Sequence, residues 1–184
     1  DAPGKVDLVW INGENFRTGK EAGLFHGPFA DRLPSAALVD TEGPGAAGTD
    51  FGVPTDGYES PWSRAQFVFI YDSAKVPEPP RSIKALTRWM QQNPGRFTYP
   101  APPNFTGSAF LRHILYAAAG GPEGLAGELD EERYEALAPR VFARLKRWKR
   151  TLWREGRTYP ESSSRLHQLY ASGGVLPAAQ LPLE

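Results

Sequence analysis

There is no cysteine among the 184 residues. That absence excludes disulfides, thiolate zinc sites, iron–sulfur clusters and cysteine nucleophiles together. Histidine is scarce: His26, His113 and His167 stand far apart, without H-E-x-x-H or H-x-x-x-H spacing, and no metal site is expected from them. No G-x-S-x-G elbow is present, and no glycine pattern of the dinucleotide or P-loop kind follows a strand. These absences argue against hydrolase and nucleotide chemistry, and no cofactor is expected. No apolar run approaches the roughly 18 residues of a membrane span. Charge of one sign is not in excess either: Lys+Arg and Asp+Glu number 21 each, so net charge points neither toward nor away from nucleic acid. No secretion leader is visible, and the chain opens Asp1-Ala2-Pro3 without Met, so a start segment is expected to have been removed.

Apolar residues make up 40% and aromatics 12%, enough for a real core. Glycine (19) and proline (18) are abundant, so loops are expected to be long. Val6 to Ile11 reads as a strand, stopped by Asn12-Gly13-Glu14-Asn15 acting as a turn. A short helix is expected from Phe16 to Leu24, and a long loop over 41–62. Phe67 to Tyr71, apolar on both faces, reads as a covered central strand. Ser82 is an expected N-cap, with Ile83, Leu86, Trp89 and Met90 on one helical face and Asn93-Pro94-Gly95 as the stop. Arg96 to Tyr99 reads as a short strand. A helix is expected from Ala109 to Ala119, another over Asp130–Glu155 interrupted at Pro139, and a last one starting at Ser162. The tail shows no pattern. Strands alternating with helices indicate an α/β fold with a mixed, partly parallel sheet flanked by helices.

Several positions could carry chemistry, and each has a plain structural reading beside it. Asn12, Glu14 and Asn15 stand just past a strand end, where open α/β sheets bind ligands, although Asn-Gly is also a common turn pair. Tyr58 and Trp62 lie in the long loop and could stack on a ligand ring or cation, or could pin the loop down. Thr106-Gly107-Ser108, before the Ala109 helix, offers hydroxyls and N–H groups to an anion, or makes an ordinary cap. Eight Lys/Arg between Arg140 and Arg157 face Glu155 alone. Val141, Leu145, Trp148 and Leu152 form an apolar stripe there, so a packed surface helix is favoured over a nucleic-acid or membrane surface.

The runs Val6 to Asn15, Gly52-Val53-Pro54-Thr55-Asp56-Gly57-Tyr58-Glu59-Ser60-Pro61-Trp62, Ala65 to Asp72, Tyr99-Pro100-Ala101-Pro102 and Phe105-Thr106-Gly107-Ser108, in that order, resemble bacterial ABC-transporter solute-binding proteins of the thiamine, iron and polyamine type. The resemblance covers roughly residues 5–172 and implies a type 2 periplasmic-binding-protein fold, in which two α/β lobes close over a small solute and deliver it to a membrane permease. It implies an extracytoplasmic, periplasmic protein without catalysis, cofactor or nucleic-acid partner. By the same resemblance 1–62 form part of lobe one and 63–184 form lobe two, an incomplete two-lobe architecture. The family's apolar return strand would follow Gly173-Gly174, where Pro177 is expected to break it. Ligand-binding roles are implied for Asn12, Glu14 and Asn15 from lobe one, Tyr58 and Trp62 near the hinge, and Asn104, Thr106 and Ser108 from lobe two. The turn at Asn12 and the start of the Ala109 helix are then expected to face one another across a gap. A thiamine-like compound or a phosphate ester suits this set; ferric iron suits it less, because the ferric-binding relatives use adjacent tyrosines. Two other readings remain: an enzyme of similar fold using Glu14 and Asp56, and a nucleic-acid module using the basic helix 140–157.

Overall fold

The computed structural model describes residues 4–11, 13–41, 47–63, 67–122, 125 and 129–175, and the backbone of 177–180. The chain divides into two compact units, Asp1–Ser63 with Gly124–Glu128, and Arg64–Glu123 with Leu129–Glu184.

In the first unit, helix α1 spans Gly13–Glu21. It begins three residues before the expected start, because Gly13 takes the left-handed conformation (φ +58°) that lets the chain turn directly into a helix. Phe16 and Gly19 form its buried face. The Phe16 ring stacks on Phe25 at 5.7 Å. A Cβ on Gly19 would stand 2.3 Å from the Phe25 ring, so glycine there makes room for that pair. The expected long loop contains a tight antiparallel hairpin, β1 (Thr49–Asp50) with β2 (Val53–Pro54), turned by Phe51 and Gly52, both at positive φ. Lys20 ties it to α1, donating to the Pro54 carbonyl and pairing with Asp56, each at 2.5 Å.

Val6 to Ile11 is not a strand. No described residue pairs with it, and Leu8 is 89% exposed, so an apolar β-branched run has no ladder to join.

The second unit carries the core. Strand β3 (Val68–Tyr71) pairs antiparallel with β4 (Pro177–Gln180), in the register Val68 with Gln180 and Tyr71 with Pro177. Proline therefore did not prevent the return strand. It sits at the first residue of β4, a position proline tolerates because a strand end can forgo one donor. Parallel pairing among the described residues is confined to one bridge, Phe97 with Leu152.

Helix α2 (Ile83–Gln92) starts where Ser82 caps Ala85 N–H at 3.1 Å. Helix α3 spans Phe105–Ala119, four residues longer at its start than expected, because Asn104 supplies the cap. Helix α4 runs unbroken over Glu131–Trp148, capped by Asp130 and passing straight through Pro139. Pro139 and the carbonyl-bearing Glu135 one turn back are both exposed, so water serves the group left without a donor. The break comes later, at Arg154 and Glu155, which adopt left-handed backbone angles. Helix α5 (Ser163–Ala171) starts at the Ser162 cap.

Leu86 and Met90 of α2, Phe97, Tyr99, Phe110 and Ile114 of α3, Trp148 of α4 and Leu152 form one buried cluster. Phe110 is its centre, with ring centroids 4.5 Å from Tyr99 and 5.6 Å from Phe97. Val141 and Leu145 pack against it, so the apolar stripe of the basic helix faces inward. Among the described residues no helix is long and apolar enough to cross a membrane.

Candidate functional site

In the first unit the start of α1 and the hairpin gather three carboxylates. Asp50 Oδ2 accepts from the Gly13 N–H at 2.5 Å, which fixes β1 to the helix start. Burial raises the Asp50 carboxyl above its ordinary 3.8; the Gly13 N–H opposes that shift and the charge of Glu14 adds to it. Asp50 acts in turn on Glu59. Burial first, then the Asp50 charge, push Glu59 from 4.5 to about 7. Glu14, Asp50 and Glu59 thus form one electrostatically linked group, and a cation brought to it would relieve the repulsion within it.

Aromatic surface lies in the same unit. Trp10 and Trp62 are 71% and 81% exposed, and their rings meet at 5.7 Å with a 57° tilt. Two indoles held together in water present ring faces to an apolar or cationic partner. Tyr58 is half-buried, and its ring lies where a Cβ on Gly27 would stand, 2.8 Å away, so its first role is to pack the loop.

Of the residues expected from the sequence, Asn12 lies outside the described residues. Glu14 joins the carboxylate group, while Asn15 is exposed on α1. Asp50, Glu59 and Trp10 were missed. Glu59 stands beside Tyr58 inside a run singled out in the sequence, but its altered proton affinity depends on Asp50, nine positions earlier, and no local pattern shows that pairing. The alternative acid–base pair is not assembled as one: Asp56 is held by Lys20, and the carboxylate that Glu14 influences is Asp50.

In the second unit Asn104, Thr106 and Ser108 sit at the mouth of α3. Asn104 Oδ1 accepts from the N–H groups of Thr106 (3.0 Å) and Gly107 (3.4 Å). Thr106 is 5% exposed, and its hydroxyl lies 3.2 Å from that of Ser163, the first residue of α5. The N-terminal ends of two helices therefore meet at one point, which concentrates the positive ends of their dipoles. Gly107 is required there, since a Cβ would stand 2.0 Å from the Pro100 carbonyl oxygen. Ser163 was also missed, because the Thr106 contact spans 57 positions.

Residues 1–178 match the family described as bacterial extracellular solute-binding protein. The chain belongs to that family. It is 42% identical over 170 residues to Protein YnjB of Escherichia coli (strain K12), which covers 92% of this chain and 43% of that protein. Among solved structures it resembles an ABC transporter protein from Clostridium perfringens, with a TM-score of 0.58 and 18% identity over 89% of this chain and 44% of the other. It also resembles a periplasmic thiamin binding protein, with a TM-score of 0.52 and 22% identity over 90% of this chain and 40% of the other. These likenesses establish the periplasmic-binding-protein fold. The chain spans less than half the length of each of these relatives.

Proposed function

We propose that this chain is part of the periplasmic solute-binding component of an ABC importer, and that its solute is a small polar molecule with a cationic heteroaromatic group, of the thiamine kind. Residues 1–62 belong to lobe one and 63–184 to lobe two. The solute is captured between the lobes and passed to the permease, without chemistry on it and without a nucleic-acid partner. The observation that carries the choice of solute is the linked carboxylate group Glu14–Asp50–Glu59, in the same unit as the exposed Trp10–Trp62 pair. A cation gains most where carboxylates repel one another, and a flat ring gains most beside exposed indoles. Asn12 and Asn15 add amide contacts from lobe one, and Tyr58 and Trp62 border the hinge. From lobe two, Asn104, Thr106 and Ser108, at the joined N-terminal ends of α3 and α5, face the polar or anionic end of the solute.

The test is a calorimetric titration with thiamine. A complete two-lobe site of micromolar affinity corresponds to about −8 kcal/mol, and half of that leaves about −4 kcal/mol, or millimolar binding. Saturable millimolar binding by the 184-residue chain, weakened about tenfold in Glu59→Gln, is expected. Absence of saturable binding, or binding indifferent to Glu59→Gln, would reject the assignment.

A further inference from the structure

Helices α2, α3 and α4 line an open concavity of about 480 Å³ within the second unit. Lys84 and Arg88 reach it from the first turns of α2, and Arg144 and Arg147 from the second half of α4. Ile83 and Ala117 give it an apolar floor. Its back wall is fixed: Trp148 Nε1 donates to Thr87 Oγ1 at 3.1 Å, and that hydroxyl donates to the Ile83 carbonyl at 2.8 Å. None of the four cations forms an ion pair with a described carboxylate. Nη1 of Arg144 is buried and has no hydrogen-bond partner. A buried guanidinium N–H without an acceptor is costly, and the missing partner must be small enough to enter the concavity. The acids of the same helix do not fill the role. Glu135, the nearest of them, stands nine residues before Arg144, about 13.5 Å along a helix rising 1.5 Å per residue, beyond a Debye length of about 10 Å.

We propose that this concavity is a second site, separate from solute capture, that takes a phosphate-type oxyanion. Arg144 supplies the buried donor, Arg147 and Arg88 supply further guanidinium forks, and Lys84 supplies a point charge. The oxyanion is either a free phosphate or the headgroup of an anionic lipid. Four cations converging on one open recess with an apolar floor fit one such group better than a nucleic-acid backbone, which needs an extended basic track.

Two measurements on the 184-residue chain separate the sources. One is calorimetric titration with inorganic phosphate at low salt. The other is flotation with phosphatidylglycerol vesicles against phosphatidylcholine vesicles. Saturable binding to phosphate alone assigns the free anion, and phosphatidylglycerol binding that phosphate displaces assigns the headgroup. In either case Arg144→Gln should weaken binding at least about tenfold, Arg144→Lys should weaken it less, and Arg150→Gln, an exposed cation outside the concavity, should change it less than about twofold. If Arg144→Gln does not fold, Lys84→Gln/Arg88→Gln, at two exposed positions, should give the same loss. Binding to neither probe, or equal losses from Arg150→Gln and the concavity variants, would overturn the proposal.

Discussion

Glu59 is a residue whose proton affinity is set by its surroundings. Below pH 4.5 its carboxyl is protonated in the folded and the unfolded chain alike. Between 4.5 and about 7 the unfolded chain has released the proton and the folded chain still holds it. Stability should therefore fall as pH rises through that window and level off above it. The group is partly exposed, so solvent screening leaves an effect of about 1 kcal/mol. Glu59→Gln should flatten this slope in thermal denaturation followed from pH 4 to pH 8; an unchanged slope would place the titration elsewhere. Binding has the opposite sign. A cationic solute needs the ionised carboxylate, so affinity should rise up to about tenfold through pH 7 in the wild type and stay flat in Glu59→Gln. The carboxylate of Glu14 was legible in the sequence, and so was the exposed aromatic Trp62. The repulsion that tunes Glu59 was not, because it arises only when folding brings Asp50, nine positions earlier, within range of a partly buried Glu59. Gly107 is a second residue-scale case. Gly107→Ala would press a methyl onto the Pro100 carbonyl at 2.0 Å, and an overpacking cost of about 1–3 kcal/mol should lower Tm by several degrees.

At the scale of elements, the helix caps separate structural from binding roles. Asn104 closes the start of α3, so Asn104→Ala should cost about 1 kcal/mol, read in a urea titration. Asn104→Asp keeps the accepting oxygen and should leave stability within a few tenths of a kcal/mol of wild type. If Asn104 also donates to solute through its amide, Asn104→Asp should weaken binding while leaving the midpoint in place. An unmoved midpoint in Asn104→Ala would show that the cap is not what starts this helix. Elements governed by local signals were readable: Ser82 and Ser162 cap where their side chains say they should, and the apolar stripe from Val141 to Leu152 faces the core. Errors came where a partner distant in sequence decides. Val6 to Ile11 has the composition of a strand and, among the described residues, no strand beside it. Pro177 opens a strand against local preference, because β3 offers a ladder whose first position needs no donor from proline. Pro139 fails to stop α4, because Leu137 and Trp148 are buried on either side of it and hold the helix together across the missing hydrogen bond.

For the molecule as a whole, apolar burial is unequally shared. Phe16 is the one large side chain described in the first unit that is fully buried, whereas Phe97, Phe110, Met90, Ile114, Leu152, Leu166 and Val175 are all fully buried in the second. Burial of such side chains supplies about 1.5–3 kcal/mol each, so most of the stability resides in residues 64–184. Limited proteolysis should therefore cut within residues 4–63 first and leave a resistant remainder that still unfolds cooperatively. Equal cleavage rates in the two units would contradict this distribution. The same inequality bears on how the family fold is completed. Val6, Leu8, Trp10, Leu24, Leu38 and Trp62 are exposed in the first unit, and the Trp10 and Trp62 rings meet there. YnjB is more than twice as long as the aligned stretch, and its additional sequence is expected to supply the strand partner that no described residue gives Val6 to Ile11 here. Hydrogen exchange tests this directly. Amides 6–11 should exchange within seconds to minutes in the 184-residue chain, and the aligned segment of YnjB should be protected by orders of magnitude, as paired strands are. Rapid exchange in both would mean that this run never joins a sheet and that its apolar face serves another partner.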